Sequence, residues 1–237
     1  MFRLYLLRLL CRLSIAGAVL YLYIAEREVL AAAPGFWLSG PLTPLTILWA
    51  LLTLNMITHL LPVSPLSLAG KKQFARYYQP AAEIIDQQKL RAYVARVNRR
   101  AGLVLVIWLG CHALLIPLCL NNILGPPELI LLSAAYFVAD LVCILFFCPF
   151  QKWLMKCRCC VECRIFEWGH FMMYTPMLFF RSFYSYSLFF LATLLLLKWE
   201  IAFVRRPQHF WPGANAALQC GNCRDKLCNF KRLKNGR

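Results

Sequence analysis

Apolar residues gather in long runs along this chain, and short polar or basic connections separate them. Four of these runs are close to twenty residues long: 42–61, 101–120, 129–147 and 183–204. Only His112 and Pro117 interrupt the second of them, and Asp140 is the only charged residue in the third. A run of this length can cross the hydrocarbon of a bilayer as one helix. The pattern therefore predicts membrane-spanning helices.

The N-terminal segment predicts one further span. Residues 13–25 are apolar, and the stretch extends backward through residues 4–10 to a basic start. This outline also fits a cleaved signal peptide, although Glu26, Arg27 and Glu28 come between the apolar stretch and the small residues at 31–33. The whole segment is long enough to span, so we favour a retained helix.

Composition agrees with the run lengths. Of the 237 residues, 61% are hydrophobic and only 15% are charged, which excludes an ordinary soluble domain. We therefore predict an all-α integral membrane protein. It would be a helical bundle of about five transmembrane segments, one of them re-entrant in the version we favour, with a cysteine-rich cytoplasmic face.

The net charge of +16 is distributed unevenly. Cations precede the first span and fill residues 71–100, whereas Arg27 is the only cation in the connections 26–40 and 121–128. Basic connections stay in the cytoplasm, which places the N-terminus there. We expect an integral protein of a bacterial-type cell membrane that attracts anionic lipid headgroups. Nothing resembles a soluble nucleic-acid-binding surface.

The segment between Arg164 and Arg205 poses a parity problem. It is short for two full crossings, yet one crossing would put the basic tail outside. We favour a hairpin in which residues 165–180 enter the bilayer as a re-entrant or tilted helix, broken near Thr175 and Pro176. A single true span remains the alternative. Both termini are cytoplasmic in the favoured version.

Four regions follow from these predictions. They are a four-span bundle at residues 1–150 with a cytoplasmic loop at 63–100, a cysteine-rich loop at 151–164, the hairpin at 165–204, and a basic tail at 205–237. Within the loop, a helix with one apolar face is predicted from Ala81 and runs into the next span. Its basic face favours contact with the membrane surface, and binding of a cytoplasmic protein partner is the alternative.

Two short basic stretches hold most of the twelve cysteines. In the cytoplasm such clusters indicate metal binding or catalysis, since disulfides are rare there. Two four-coordinate sites would need eight thiolates: Cys148, Cys157, Cys159, Cys160, Cys163, Cys220, Cys223 and Cys228. Zinc and iron–sulfur clusters both take such ligands, and spacing does not separate them. Palmitoylation or fortuitous free thiols are the alternatives.

Three ionisable residues of the apolar segments are candidates for chemistry. His112 and Asp140 lie near the middle of neighbouring spans, where a pair would serve as catalytic groups that shuttle protons or as an interhelical hydrogen bond. His170 lies close to the cysteine-rich loop and is a candidate ligand for a metal, haem or quinone.

Three functions remain open at this point. The first is a redox-active membrane protein with cysteine-ligated iron–sulfur or zinc, and the second is a non-catalytic scaffold with a structural zinc clip. The third is a soft-metal transporter. Phosphate-binding glycine loops, nucleophile elbows and zinc-protease motifs are missing from the sequence.

Overall fold

The architecture is a bundle of helices, seen in a computed structural model that describes residues 2–31, 43–61, 72, 74–81 and 84–223. Its α-helices are α1 (Phe2–Ala25), α2 (Arg27–Ala31), α3 (Pro44–Leu60), α4 (Gln87–Ala113), α5 (Leu115–Leu120), α6 (Pro126–Leu145), α7 (Gly169–Tyr174) and α8 (Phe183–Arg205). Within these ranges there is no strand, and an isolated bridge joins Pro80 to Asn215. The prediction of an all-helical chain is confirmed.

Shorter helical turns connect the long helices. Phe150–Met155 is a π-helix, and 3-10 turns occupy Ala75–Tyr77, Phe166–Trp168, Thr175–Phe179, Pro207–Phe210, Ala216–Leu218 and Cys220–Asn222. Among the described residues, four stretches are long and apolar enough to cross a membrane: Tyr5–Ala25, Gln87–Leu120, Pro126–Leu145 and Phe183–Arg205. Helix α3 is also apolar but is only 17 residues long.

Helix α4 begins later than the sequence predicts. The expected start at Ala81 is wrong, because the helix starts at Gln87. The side chain of Asp86 accepts a hydrogen bond from the backbone N–H of Lys89 at 3.0 Å, which caps the first turn. From there the helix continues without a break to Ala113.

Helices α1 and α6 pack side by side in opposite directions. Arg12 contacts Asp140 near one end of the pair, and Tyr23 donates a hydrogen bond to Glu128 at the other end. We call the end of the bundle where α6 finishes, and where the cysteine-rich loop follows, the cysteine end. Helix α1 starts at this end and α6 finishes there.

Helices α3 and α8 run in the same direction. The hydroxyl groups of Thr46 and Tyr184 lie 2.9 Å apart, and at the other end Lys198 donates to the carbonyl of Leu60 at 3.1 Å. Because α8 finishes at the cysteine end, it must start at the opposite end. Residues 165–182 therefore pass from the cysteine end to the opposite end, and the helix in that passage stops at Tyr174, where the sequence predicts a break.

Candidate functional site

A buried lysine surrounded by thiols lies at the cysteine end. Lys72 has no exposed surface, and its ammonium donates a hydrogen bond to the carbonyl of Cys163 at 3.3 Å. Its Nζ also lies 5.8 Å from the centre of the Trp199 ring and 6.0 Å from that of Phe210. We call Lys72 together with Cys157, Cys159 and Cys163 the Lys72 site.

Several elements bring these groups together. The cysteines come from the turns that follow the π-helix, Trp199 comes from α8, and Phe210 comes from the segment after α8. His209 in that segment contacts the carbonyl of Lys72 through Nδ1 at 2.9 Å, and it stacks on Tyr78. The C-terminal segment therefore covers the site.

The thiols of Cys157 and Cys163 form a hydrogen-bonded pair. The pKa of Cys163 is held below its ordinary value, against the effect of burial, by the hydrogen bond from Cys157, by the backbone N–H of Ile165 and by the nearby Lys72. The same hydrogen bond between the thiols, helped by burial, raises the pKa of Cys157. Cys163 is therefore the thiol of the pair that loses its proton more readily.

The charge on Lys72 depends on the same thiols. Burial lowers the pKa of its ammonium. The largest effects that raise this pKa come from Cys163, Cys159 and Cys157. Burial also raises the pKa of Cys159. Among the residues that the structure describes, no carboxylate lies within ion-pair distance of Lys72.

A second group of thiols lies nearby around Gln151. The backbone N–H of Gln151 donates to the sulfur of Cys148 at 3.3 Å, and the thiol of Cys160 donates to its Oε1 at 3.1 Å. Over the described ranges, no three side chains of His, Cys, Asp or Glu converge closely enough to hold a metal ion. The thiols stand as separate small groups.

A basic cleft opens beside the Lys72 site. It encloses about 340 Å³ between α4, the cysteine-rich loop and the C-terminal segment. Cys157 and Cys220 both line it, so loop and tail cysteines reach one cavity. Its cations are Arg96, Arg100, Lys156, Arg158 and Arg164. Cys223 is partly exposed and follows Cys220 in the same tail, and Cys228 lies outside the described residues.

Buried Arg164 is the other enclosed cation of this end. Its guanidinium makes two hydrogen bonds with the carboxylate of Glu200, which also accepts from Trp168 at 2.8 Å. Its carbon Cζ lies 3.8 Å from the centre of the Phe203 ring. Glu200, an acidic residue near the end of an apolar run, was a signal in the sequence for this pair.

The predicted pairing of His112 with Asp140 is wrong. Asp140 instead accepts a hydrogen bond from Arg12 at 2.7 Å. The same guanidinium donates to the carbonyl of Phe137 at 2.7 Å. His112 contacts the carbonyl of Trp108 through Nδ1 at 2.9 Å, and its Nε2 is buried with no partner among the described residues. The carboxylate of Asp140 thus contacts α1, and among the described residues no hydrogen bond joins it to His112.

His170 lies against a histidine, not against the thiols. Its ring centre is 5.2 Å from that of His59, and the preceding Gly169 packs directly on Asp140. A Cβ at position 169 would lie 2.5 Å from Oδ1 of Asp140, so any larger residue would force the carboxylate of Asp140 to shift. His170 thus belongs to the helix interface around the Arg12–Asp140 pair.

Sequence reasoning missed the two cations that organise the cysteine end. Lys72 looks like one of many loop cations, and no local pattern marks it as buried.

Comparison with protein-family models, with curated proteins and with solved structures found no match in any of the three. Any conclusion about function therefore rests on the sequence and geometry of this chain alone.

Proposed function

We propose that this chain is an integral membrane protein that binds a soft metal ion through cysteine thiolates at its cytoplasmic end. The observation that carries the proposal is the hydrogen-bonded pair of Cys157 and Cys163 beneath Lys72. The thiolate is the form of cysteine that metals require, and a lowered pKa lets Cys163 reach that form more readily. The positive charge of Lys72 would offset the negative charge that several thiolates bring.

The pair would be the nucleus of the site and not the whole of it. Zinc and iron–sulfur clusters take four ligands, so other thiolates of the loop must move toward the pair. Cys159 and Cys160 are the nearest in sequence, and both belong to turns that can adjust. Iron with acid-labile sulfide would make the protein redox-active, whereas zinc would not.

Metal analysis of the full chain tests this proposal. The protein is purified in detergent without oxygen, and iron, zinc and copper are counted per chain. We expect one of these metals at a stoichiometric level, with its loss in both Cys157→Ser and Cys163→Ser. Cys111→Ser is the matched control, because Cys111 is exposed on α4 away from this end. Trace metal in the unaltered protein, or equal metal in all variants, would refute the proposal.

A structural zinc clip is the second candidate, and one observation favours it. Cys157 from the loop and Cys220 from the tail line the same cleft. A zinc ion between them would tie the tail to the loop without any catalysis. Colourless stoichiometric zinc that is lost in Cys220→Ser as well as in Cys157→Ser supports the clip, whereas zinc retained in Cys220→Ser excludes it.

The cytoplasmic position of both termini belongs to the same proposal. The positive-inside pattern supports it, and so does the passage of residues 165–182 between the two ends of the bundle. About eighteen residues at 1.5 Å each give roughly 27 Å, close to the thickness of the hydrocarbon layer. The passage would need its irregular backbone shielded by protein, and buried Thr175 and Pro176 fit that need.

Labelling of intact cells tests the orientation. A membrane-impermeant maleimide should leave Cys220 and Cys223 unmodified, although both carry some exposed surface. Asn122→Cys, at the turn between α5 and α6, is the positive control and should be labelled. Strong labelling of the tail cysteines in intact cells would overturn the proposed topology.

A further inference from the structure

The basic cleft carries more positive charge than its surroundings neutralise. Arg164 is paired with Glu200. The four other cations that line the cleft are Arg96, Arg100, Lys156 and Arg158. Glu162 is the acidic residue that lines the cleft with them. In the part of the chain that the structure describes, no carboxylate lies within ion-pair distance of the side chains of Arg96, Lys156 or Arg158.

The backbone at the end of the π-helix helps to position some of these cations. Arg100 donates to the carbonyl of Met155 at 2.8 Å, which fixes the end of the π-helix. The next residue, Lys156, has a left-handed backbone with φ of 49° and ψ of 43°. Such a conformation is costly for a residue other than glycine and is typical of functional sites. It turns the chain so that Lys156 and Arg158 both line the cleft.

Some of the residues that line the cleft are apolar or aromatic. The hydroxyl of Tyr93 donates to the carbonyl of Phe210 at 2.8 Å, which holds the C-terminal segment against α4. Trp211 lies beside Tyr93 with 6.2 Å between ring centres, and Leu218 also lines this side. A ligand that fills about 340 Å³ would therefore place its anionic group among the cations and its organic part against these rings.

We propose that the basic cleft is a binding site for a phosphate monoester. A phosphate dianion matches several cations better than a single carboxylate does, and arginine binds phosphate through two parallel hydrogen bonds. The cleft lies beside the first turns of α4, just before the apolar run that starts at Ala101. Both the headgroup of an anionic lipid and a soluble phosphorylated compound could bring this group to it. Cys157 and Cys220 also line the cleft, but phosphate binding would depend on the cations and not on these thiols.

Binding of defined probes to the full chain tests the proposal. Sodium phosphate and glycerol 3-phosphate are titrated into the purified protein in neutral detergent by calorimetry. In a separate arm, the protein is placed in nanodiscs of phosphatidylcholine with or without phosphatidic acid, and lipid retention is measured by native mass spectrometry. We expect saturable binding in at least one arm, and the arm that responds identifies a soluble or a lipid source.

Two variants link that binding to the cleft. The double variant Arg96→Gln with Arg158→Gln should weaken binding at least about tenfold, whereas Arg91→Gln, an exposed cation on the same helix, should not change it. Arg164 is left intact because its pairing with Glu200 affects folding. The proposal is overturned if neither arm shows saturable binding, or if Arg91→Gln weakens binding as much as the double variant does.

Discussion

Two buried cations at the cysteine end solve the same physical problem in different ways. Arg164 is paired with the carboxylate of Glu200 through two hydrogen bonds. Lys72 has no such partner among the described residues, and lies among thiols and aromatic rings. An ion pair neutralises a buried charge permanently, whereas thiols do so only when they ionise. Arg164 therefore has a framework role, in which its ion pair stabilises the fold. Lys72 is placed to influence the ionisation of the thiols.

Removing the acidic partner of Arg164 should have the largest effect on stability. In Glu200→Gln the guanidinium stays buried, with 3% of its side chain exposed, and loses its compensating charge. We expect the free energy of unfolding to fall by about 3 kcal/mol. Thermal unfolding in detergent, followed by loss of the monodisperse peak, measures this. Asp86→Asn at the exposed cap of α4 is the control and should unfold like the unaltered protein. An equally stable Glu200→Gln protein would contradict the framework role.

The other arginine–carboxylate pair of the bundle can be disturbed by adding one methyl group. Gly169→Ala would push a Cβ against the carboxylate of Asp140, which Arg12 holds in place. We expect a loss of about 2 kcal/mol, as in other overpacked sites. Gly17→Ala in α1 is the matched control, because nothing lies within 4 Å of its added Cβ. The same unfolding assay applies, and equal stability of the two variants would contradict the close packing.

Lys72→Met tests whether Lys72, unlike Arg164, contributes little to the stability of the fold. Among the described residues no carboxylate pairs with Lys72, so an apolar side chain of similar length removes the cost of keeping that charge out of water and gives up one hydrogen bond to the carbonyl of Cys163. We therefore expect unfolding within about 1 kcal/mol of the unaltered protein, together with a higher pKa for Cys163. Titration of the thiolate absorbance in the ultraviolet measures the second effect. A loss of stability as large as that of Glu200→Gln would mean that Lys72 is paired like Arg164.

The smallest expected effect is a dependence of stability on pH. The pKa of Cys163 lies below its ordinary value of 9.0, so the unfolded chain binds a proton that the folded chain has released. Stability should therefore rise with pH between that lowered pKa and 9.0, and fall as pH drops through it. The lowered pKa of Lys72 acts in the same direction below 10.5. Cys157, whose pKa is raised, opposes this only above 9.0.

Melting temperatures from neutral pH to pH 9 would reveal this slope. In Cys163→Ser the slope should become shallower, because one contributing group is gone. An unchanged slope in that variant would show that the pKa of Cys163 is not lowered in the folded protein.

Much of the fold was predictable because it depends on run length. A helix such as Pro126–Leu145 needs only enough consecutive apolar residues, and these are visible in the sequence. The facing of each helix was not predictable. Spans that are apolar on all sides give no period that marks the buried side. For that reason the sequence predicts a pair between His112 and Asp140, whereas in the structure Asp140 pairs with Arg12 of α1.

The presence of clustered cysteines at the candidate site was predictable, but their organisation around Lys72 was not. Clustered cysteines with basic neighbours pointed to the loop that contains Cys157 and Cys163. The burial of Lys72 over these thiols depends on contacts between segments far apart in the chain, such as the one between its carbonyl and His209. Local spacing carries no information about such contacts.

The cover over the Lys72 site has a consequence for synthesis of the chain. Phe210 and His209 come late in the sequence, after the cysteines and after Trp199. During translation the loop thiols must therefore leave the ribosome before the segment that encloses them exists. For that interval they lack this cover. Loading of an ion, or damage by an oxidant, would be easiest in the nascent protein and hardest once the last turns have docked.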